Sequence, residues 1–469
     1  MNAVTSNPAI RLSKWVHVFE RGKVIALYHA LNIDVICVPM EHKELVVALK
    51  KGTTSTFLLK QFPELSIDAF LAEMEAQGFV VPVGYDDMEL LVAKRAEAIP
   101  PIGLHSLYLL LTDNCNLRCK YCFVLDGMPS CYRTSNMSWD VARTAIDMFF
   151  ANLAKNDPRH ERAVKMINLY GGEPLLRFPL LKQVVEYTET KYASEIHAMD
   201  AVGFIFSLVT NGTLITPEIA SYLAEHPRIA VTVSVDGSEA SHDAARRTTQ
   251  DVGTYQAVLS GLRMLVAAGC KGLSLSCTIT EHNIDTLEAL LELHKEFGFL
   301  SINLNPLLDT QQQAVSDGYT EVVNDRMIEY FLKAREVGVY EDRIMRRIKP
   351  FMSRRPLPYD CQATGSQLVC SPSGRVGVCH EGLGMSNYFF ADVSEDFSFH
   401  NNETVREWGR RSPFNMPQCF NCPAIAMCGG GCAYGAMLRN GSIWSLDDRF
   451  CTHALKTLEW MVWDLFGNS

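Results

Sequence analysis

The sequence predicts an α/β fold in which a partial (β/α)6 barrel lies between a small N-terminal domain and a cysteine-rich C-terminal domain. Strand-like and helix-like segments alternate six times between about residues 104 and 345, which indicates a parallel sheet with helical crossovers. Right-handed crossovers curl such a sheet, and its binding sites form at the carboxyl ends of the strands. The 15 cysteines are concentrated at positions 115–122 and 361–451.

We expect three parts, 1–100, 101–348 and 349–469. In the first, the β-rich stretches Trp15–Phe19 and Lys23–Pro39 flank Arg21-Gly22, which predicts a β-hairpin. Helical patterns at His42–Lys51 and Ser66–Gln77 and a closing strand at Gly78–Val83 complete a winged-helix-like unit. The stretch Ala93–Pro101 is typical of a linker.

The central part is predicted strand by strand. The strands are Leu107–Thr112, Lys165–Gly171, Gly203–Thr210, Ile229–Asp236, Gly272–Thr280 and Ser301–Leu307. The helices are Ser138–Leu153, Leu175–Tyr192, Thr216–Glu225, Thr254–Ala268, Asn283–Phe297 and Glu321–Val337. The last part holds eight cysteines with many Gly and Pro, which favours a domain organised around metal rather than around an apolar core.

The charge and the hydropathy exclude several function classes. The formal net charge is −10, which argues against a broad nucleic-acid surface because phosphate binding needs clustered Lys and Arg. The N-terminal residues lack the apolar core of a signal peptide, and no run of about 18 apolar residues suggests a membrane span. We therefore expect a cytoplasmic protein with no nucleic-acid or membrane partner.

The segment Leu111–Phe123 (LTDNCNLRCKYCF) has the strongest chemical signal. Cys115, Cys119 and Cys122 have the spacing C-x3-C-x2-C just after the first barrel strand. Three thiolates can hold three irons of a four-iron cluster and leave the fourth iron open. The alternative is zinc, but a structural zinc site usually closes with four ligands, and this loop offers three.

This loop resembles the signature loop of the radical S-adenosylmethionine (radical SAM) superfamily, in which an aromatic residue, here Tyr121, precedes the last cysteine. The resemblance implies that the open iron chelates S-adenosylmethionine. One-electron reduction would then release a 5′-deoxyadenosyl radical that abstracts hydrogen from the substrate. Tyr121 would lie near the adenine; the alternative is a core tyrosine.

The same resemblance assigns further cofactor contacts. Gly171, Gly172, Glu173 and Pro174 resemble the family's GGEP motif, which binds the amino end of S-adenosylmethionine. Ser234 lies at a strand end where the family places ribose contacts. Arg246 ends an H-D-x-x-R stretch whose arginine pairs with the cofactor carboxylate in this branch of the family; the alternative is a solvated basic turn.

Cys277 is a candidate catalytic residue from its place late in the fifth strand. Alternate residues of a barrel strand face the interior, so this thiol could point at the substrate as a hydrogen-atom donor or a ligand. A free cysteine is also a common buried apolar residue, which is the alternative.

The C-terminal cysteines have the pattern C-x12-G-x4-C, gap, C-x2-C-x5-C-x3-C, gap, C. This resembles the SPASM domain, which binds two auxiliary four-iron clusters; zinc is the alternative. The resemblance implies one cluster at Cys419, Cys422, Cys428 and Cys451 and another at Cys361, Cys379 and Cys432. The fourth ligand of the latter is open, with Cys370 as a local candidate. Together with the first loop, three 4Fe-4S clusters are expected.

Radical SAM–SPASM proteins mostly modify peptides, so we expect an enzyme that installs a thioether or carbon–carbon cross-link in a ribosomally made precursor. The N-terminal domain could bind the precursor's leader by β-augmentation. An electron donor such as flavodoxin or ferredoxin is implied. One alternative is a sulfatase-maturating, formylglycine-forming enzyme, which usually begins near the signature cysteines. The other is a non-enzymatic iron–sulfur or zinc-binding protein.

Overall fold

The computed structural model describes residues 8–122, 124, 134–307, 315–316, 318–383 and 388–466. Its strands are β1 Ile10–Leu12, β2 Val16–Arg21, β3 Val24–His29, β4 Asp34–Pro39, β5 Val80–Pro82, β6 Ser106–Thr112, β7 Lys165–Gly171, β8 Phe204–Thr210, β9 Ile229–Ser234, β10 Ser274–Ile279, β11 Ser301–Pro306, β12 Tyr340–Glu341, β13 Gln367–Cys370, β14 Arg375–Gly377 and β15 Phe389–Asp392.

The α-helices of the same residues are α1 Lys43–Lys51, α2 Ser55–Gln61, α3 Ile67–Ala76, α4 Asp87–Ala98, α5 Trp139–Leu153, α6 Phe178–Lys191, α7 Ala193–Ala198, α8 Pro217–Glu225, α9 Glu239–Ala245, α10 Tyr255–Ala267, α11 Ala289–Phe297, α12 Tyr319–Glu336, α13 Asp342–Ser353, α14 Glu403–Arg410, α15 Ile425–Cys428, α16 Ala433–Asn440 and α17 Asp448–Phe466. None of these helices is long and apolar enough to cross a bilayer.

The N-terminal unit contains a three-stranded antiparallel sheet in the order β2-β3-β4, followed by α1–α3. The predicted second strand, Lys23–Pro39, is wrong as a single strand because it turns back at Ala30–Ile33. The predicted closing strand is β5, which pairs antiparallel with β1. The stretch Ala93–Pro101 is not a linker throughout, since α4 continues to Ala98.

The central sheet runs in the order β12-β11-β10-β9-β8-β7-β6-β13-β14-β15. Neighbouring strands from β12 to β13 are parallel, and the six predicted barrel strands are confirmed to within two residues at each end. Polar residues that precede three crossover helices, Ser138, Thr216 and Ser238, accept hydrogen bonds from the first turns of those helices.

The two faces of this sheet differ in polarity. Alternate apolar residues such as Leu109, Ile167 and Phe206 are fully buried in the largest core cluster with the crossover helices. The residues between them form what we call the polar face, with Asn168 and Ser207 in neighbouring register across β7 and β8. Hydrogen bonds follow this face: Asn168 Nδ2 donates to Ser106 Oγ (2.7 Å), and Asn305 Nδ2 donates to Ser276 Oγ (3.1 Å).

The C-terminal part shares its apolar core with the barrel. Strand β13 pairs in parallel with β6, so the sheet continues across residue 348. Leu368, Val369 and Phe399 are fully buried in the same core cluster as the barrel strands. The prediction of a domain organised around metal instead of an apolar core therefore does not describe these residues.

The N-terminal sheet packs directly on the C-terminal part. Tyr28 of β3 is fully buried in a core cluster with Ile425, Met427 and Leu458. Its ring stacks on Phe351 with the centroids 6.1 Å apart, and its hydroxyl donates to Met427 Sδ at 3.2 Å. The sequence between the cysteines of the C-terminal set thus contacts the N-terminal unit.

Candidate active site

The loop that carries the first three cysteines begins where β6 ends. Its backbone is held by residues at and just after the end of α9: Arg118 N donates to Arg247 O (2.7 Å), and Lys120 N donates to Ala245 O (3.0 Å). Cys122 N donates to Cys119 O (3.2 Å), which closes a turn between two of the thiols. The loop therefore lies at the carboxyl edge of the parallel sheet, where a site was predicted.

The three thiols are partly buried and close enough to influence one another. Burial raises the pKa of Cys115 to about 12, and Glu173, Cys119 and Cys122 raise it further. Burial also raises the pKa of Cys119, against which Arg246 acts. Three thiolates this close together need a cationic centre between them. The described residues do not place three metal-binding side chains around a single ion. The soft thiolate donor set fits a multi-iron cluster.

Gly171 and Gly172 bring the end of β7 against the chain that enters this loop. Gly172 N donates to Thr112 O (2.7 Å), and Glu173 N donates to Asn114 O (2.8 Å). Gly171 has φ 143°, and a Cβ on Gly172 would overlap the carbonyl oxygen of Asn114. The two glycines thus permit a close approach between the two backbone segments. This approach fixes the position of the chain that leads into Cys115.

Glu173 is buried and its carboxylate already has three donors. Thr210 Oγ1 (2.7 Å), Asn211 N (2.8 Å) and Leu175 N (3.0 Å) all donate to it. Burial raises the pKa of Glu173 to about 7, while these three hydrogen bonds lower it. The carboxylate therefore joins the ends of β7 and β8. Glu173 also caps the short 3₁₀ helix Pro174–Arg177, which begins at Pro174.

Buried Asp236 and Arg246 form one group with half-buried Tyr121 beside the loop. Arg246 Nε donates to Asp236 Oδ2 (2.9 Å), and the guanidinium lies 5.4 Å from the centre of the Tyr121 ring. The Tyr121 hydroxyl donates to Asp236, and Thr278 N donates to Asp236 Oδ1 (3.0 Å). Arg246 is 8% exposed and is not a solvated basic turn. Ser234 lies on the polar face two residues before Asp236.

Cys277 lies away from this group. It is fully buried with Leu275 and Ile279 on the apolar side of β10, and its thiol lies 3.7 Å from Asn283 Nδ2. The prediction that Cys277 faces the substrate is therefore wrong. The residues on the other side of β10, Ser276 and Thr278, are the half-buried ones.

The C-terminal cysteines fall into two sets of neighbours, judged by their effects on one another's pKa values. Burial raises the pKa of Cys451, and Cys428, Cys422 and Cys419 raise it further. Burial likewise raises the pKa of Cys432 to about 12, with Cys361 as a further cause. The second set also includes Cys379, whose pKa is raised by burial and then by Glu381, Cys432 and Cys361.

Cys370 belongs to neither set. It is fully buried on β13, burial alone raises its pKa, and its thiol contacts the backbone oxygen of Ser371. None of the other thiols is among the causes of this pKa shift, and its role as the fourth ligand stays a prediction. Its strand position between β6 and β14 explains its burial.

The sequence analysis missed an aromatic group on the polar face. Tyr108 of β6 stacks on His380 (centroids 4.8 Å apart, planes at 7°), and Tyr170 of β7 lies 5.1 Å from the same ring. Glu381 follows His380, and burial raises the pKa of its carboxyl to about 8. The alternation of β6 and β7 held the signal for the two tyrosines, whereas nothing in the sequence joins His380 to them.

Residues 109–294 match the family model described as the Radical SAM superfamily. This stretch includes the three-cysteine loop, so the resemblance of that loop to the radical SAM superfamily is confirmed.

Three known proteins are similar to most or nearly all of this chain. The radical SAM cyclopropyl synthase TigE of Paramaledivibacter caminithermalis is 23% identical over 94% of this chain and 93% of its own. The mycofactocin maturase MftC of Mycobacterium tuberculosis is 26% identical over 69% of this chain and 76% of its own. The structure of Streptococcus suis SuiB bound to its precursor peptide SuiA matches with a TM-score of 0.53 and 14% identity, over 94% of this chain and 99% of SuiB.

Proposed function

We propose that this enzyme is a peptide maturase, which abstracts hydrogen from a ribosomally made precursor and installs a thioether or carbon–carbon cross-link. One observation carries the proposal: two tyrosines of the polar face are influenced by thiols of different sets, the first loop and the C-terminal three-cysteine set. The pKa of Tyr108 is raised by burial and then by Cys361 and Cys379, while that of Tyr170 is raised by burial with Cys122 among the further causes. A peptide segment on this face would be within reach of both sets.

The first loop supplies the ligands for one 4Fe-4S cluster through Cys115, Cys119 and Cys122. S-adenosylmethionine bound to that cluster would supply a 5′-deoxyadenosyl radical after one-electron reduction. Around it, the Gly171–Pro174 turn would contact the amino end. Tyr121 and Ser234 would contact the nucleoside.

Arg246 would orient the carboxylate of S-adenosylmethionine only in part. Asp236 already holds its guanidinium through Nε at 2.9 Å and through one terminal nitrogen at 3.3 Å. A cofactor carboxylate would therefore share this cation with Asp236. The pair would keep the arginine charged and oriented before the cofactor arrives.

The two C-terminal sets would hold two auxiliary 4Fe-4S clusters. Cys419, Cys422, Cys428 and Cys451 offer four thiolates, while Cys361, Cys379 and Cys432 offer three. An electron donor of the flavodoxin or ferredoxin kind would reduce the enzyme. The fourth position at the three-cysteine set would be open to a ligand from outside these residues.

The N-terminal unit would recognise the precursor's leader. TigE and SuiB both match 94% of this chain. That extent supports a precursor-peptide maturase over a sulfatase-maturating enzyme, whose chain we expected to begin near the signature cysteines. Strands β2 and β4 are the edges of the three-stranded sheet and carry the unpaired backbone groups that an added peptide strand needs.

Proline substitutions on these edges test the leader role. Alternate N–H groups of an edge strand point outward, so proline is placed separately at Ile36 and Cys37 of β4 and at Val18 and Phe19 of β2. The probe is a synthetic peptide encoded by a short open reading frame beside this gene. We expect one proline on one edge to weaken its binding at least about tenfold while 5′-deoxyadenosine formation without peptide is unchanged.

The same series can contradict the proposal. If all four variants fold and bind such peptides as the unsubstituted enzyme does, strand addition at these edges is wrong. If no neighbouring short peptide is modified but a sulfatase peptide is, the enzyme is a sulfatase-maturating one.

A further inference from the structure

One segment connects the two C-terminal thiol sets. Cys428 belongs to the four-cysteine set and Cys432 to the three-cysteine set, with only Gly429, Gly430 and Gly431 between them. All three glycines have positive φ, at 70°, 84° and 67°. Such a run forms no helix or strand, so its shape is fixed by contacts from other segments, of which Asp360 N donating to Gly429 O (2.9 Å) is one.

Arg411 fixes this segment from its buried position after α14. Its side chain is 0% exposed. Its Nη1 donates to Gly430 O (2.6 Å) and Gly431 O (3.4 Å), and its Nη2 donates to Ser445 O (3.2 Å). Its Nε donates to the carbonyl oxygen of Ile443. Every partner in the described part of the chain is thus a neutral backbone carbonyl.

Arg411 differs in this respect from the other buried arginines. Arg246, Arg347 and Arg449 are also buried, and each has a carboxylate within 2.9 Å. Among the residues that the structure describes, Arg411 makes no ion pair. An arginine does not lose its proton in a protein, and an isolated buried charge is strongly unfavourable. Within that part of the chain, no carboxylate in direct contact therefore compensates the charge of Arg411.

The neighbouring thiols supply the candidate anion. Burial lowers the pKa of Arg411, and the opposing causes are first the thiols of Cys432, Cys428 and Cys419. Asp447 follows them, and its carboxylate already accepts two hydrogen bonds from Arg449. The three cysteines belong to both sets. A four-iron cluster with four thiolates carries a net charge of about −2, which becomes about −3 after one-electron reduction. A cation at this position therefore favours the reduced form.

We propose that Arg411 is the positioning residue that compensates the negative charge of both auxiliary clusters and raises their reduction potentials. This inference rests on the proposed function, which supplies the clusters. In the redox step, each cluster takes up one electron from a chemical reductant, and Arg411 stays protonated throughout.

A redox titration monitored by electron paramagnetic resonance tests this in the full-length enzyme. In Arg411→Gln, the reduced-to-oxidised ratio of an auxiliary cluster at a fixed solution potential should fall at least about tenfold, or ~59 mV for a one-electron couple. Arg411→Lys should retain most of the wild-type potential. The adjacent, exposed Arg410 provides the matched control, and Arg410→Gln should leave the potential unchanged because water screens its charge.

A second pair of variants keeps the arginine in place. The carbonyl of half-buried Ser445 accepts a hydrogen bond from Arg411, so Ser445→Glu would add a negative charge at a residue that contacts the guanidinium and Ser445→Gln would not. We expect the tenfold fall with Glu and not with Gln. If Arg411→Gln and Ser445→Glu both load their clusters and both keep the wild-type reduction potentials of the auxiliary clusters, the inference is overturned. A wild-type enzyme with only about four irons would show instead that the proposed auxiliary clusters are wrong.

Discussion

Gly172 is a residue at which the close approach of another backbone segment limits the site. A methyl group there would overlap Asn114 O, and the φ of this glycine is not the obstacle. We predict that Gly172→Ala costs roughly 1–3 kcal/mol of unfolding free energy and loses up to about four irons per chain, because the Cys115 loop is displaced. Chemical denaturation and iron analysis measure both.

Gly84 provides the control for this substitution, since a Cβ there would meet open space. Gly84→Ala should change the unfolding free energy by less than about 0.5 kcal/mol. A Gly172→Ala protein with full iron and unchanged stability would contradict the role of the close approach.

At the residue scale, the sequence predicted which side chains reach the site when the motif itself sets their position. The grouping of Cys115, Cys119 and Cys122 follows from their spacing, whereas the two C-terminal sets were implied by the resemblance to the SPASM domain. The side of β10 on which Cys277 lies was predicted wrongly. The alternation of Ser276 and Thr278 with apolar residues carried the correct answer. The partners of Arg411 are carbonyls of distant backbone, and no residue pattern encodes them.

At the scale of the element, the buried carboxyl of Glu341, which caps helix α13, makes the stability of the protein depend on pH. It caps the helix by accepting from Arg343 N (2.9 Å) and Ile344 N (2.8 Å), and burial raises its pKa to about 7. The folded protein therefore binds this proton more tightly than the unfolded chain, so the contribution of Glu341 to stability falls as pH rises from about 4.5 to about 7.

Glu341→Gln removes that titration and keeps an acceptor for the cap. We predict that the wild type loses on the order of 2 kcal/mol relative to Glu341→Gln across this pH window. Urea unfolding of both proteins at several pH values gives the difference. Parallel pH profiles for the two proteins would contradict the buried, titrating cap.

Elements with regular alternation were predictable, and those that depend on tertiary contacts were not. The six barrel strands and their helices follow from periodicity. The turn between β3 and β4 has no Gly or Pro, and it includes Ile33 at φ 54°, held in a buried cluster. Residues Asn283–Glu288 were predicted to start a helix, but the Asn283 side chain instead binds the end of β10 at Thr278 O and Thr280 N.

At the scale of the whole molecule, the three parts are joined more closely than the sequence suggested. Strand β13 extends the barrel sheet, and Tyr28 of the N-terminal unit packs against Met427, next to Cys428. Contacts between residues 399 positions apart leave no local sequence pattern. The consequence is that the proposed leader-binding sheet and one proposed auxiliary cluster share a buried interface.

The most direct test of the account is the iron and sulfide content of the anaerobically reconstituted full-length protein, with 5′-deoxyadenosine formation assayed in the same sample under strong reductant. The account predicts about twelve irons per chain, from three clusters of four, together with 5′-deoxyadenosine. Zinc in place of iron, with no 5′-deoxyadenosine, would contradict it.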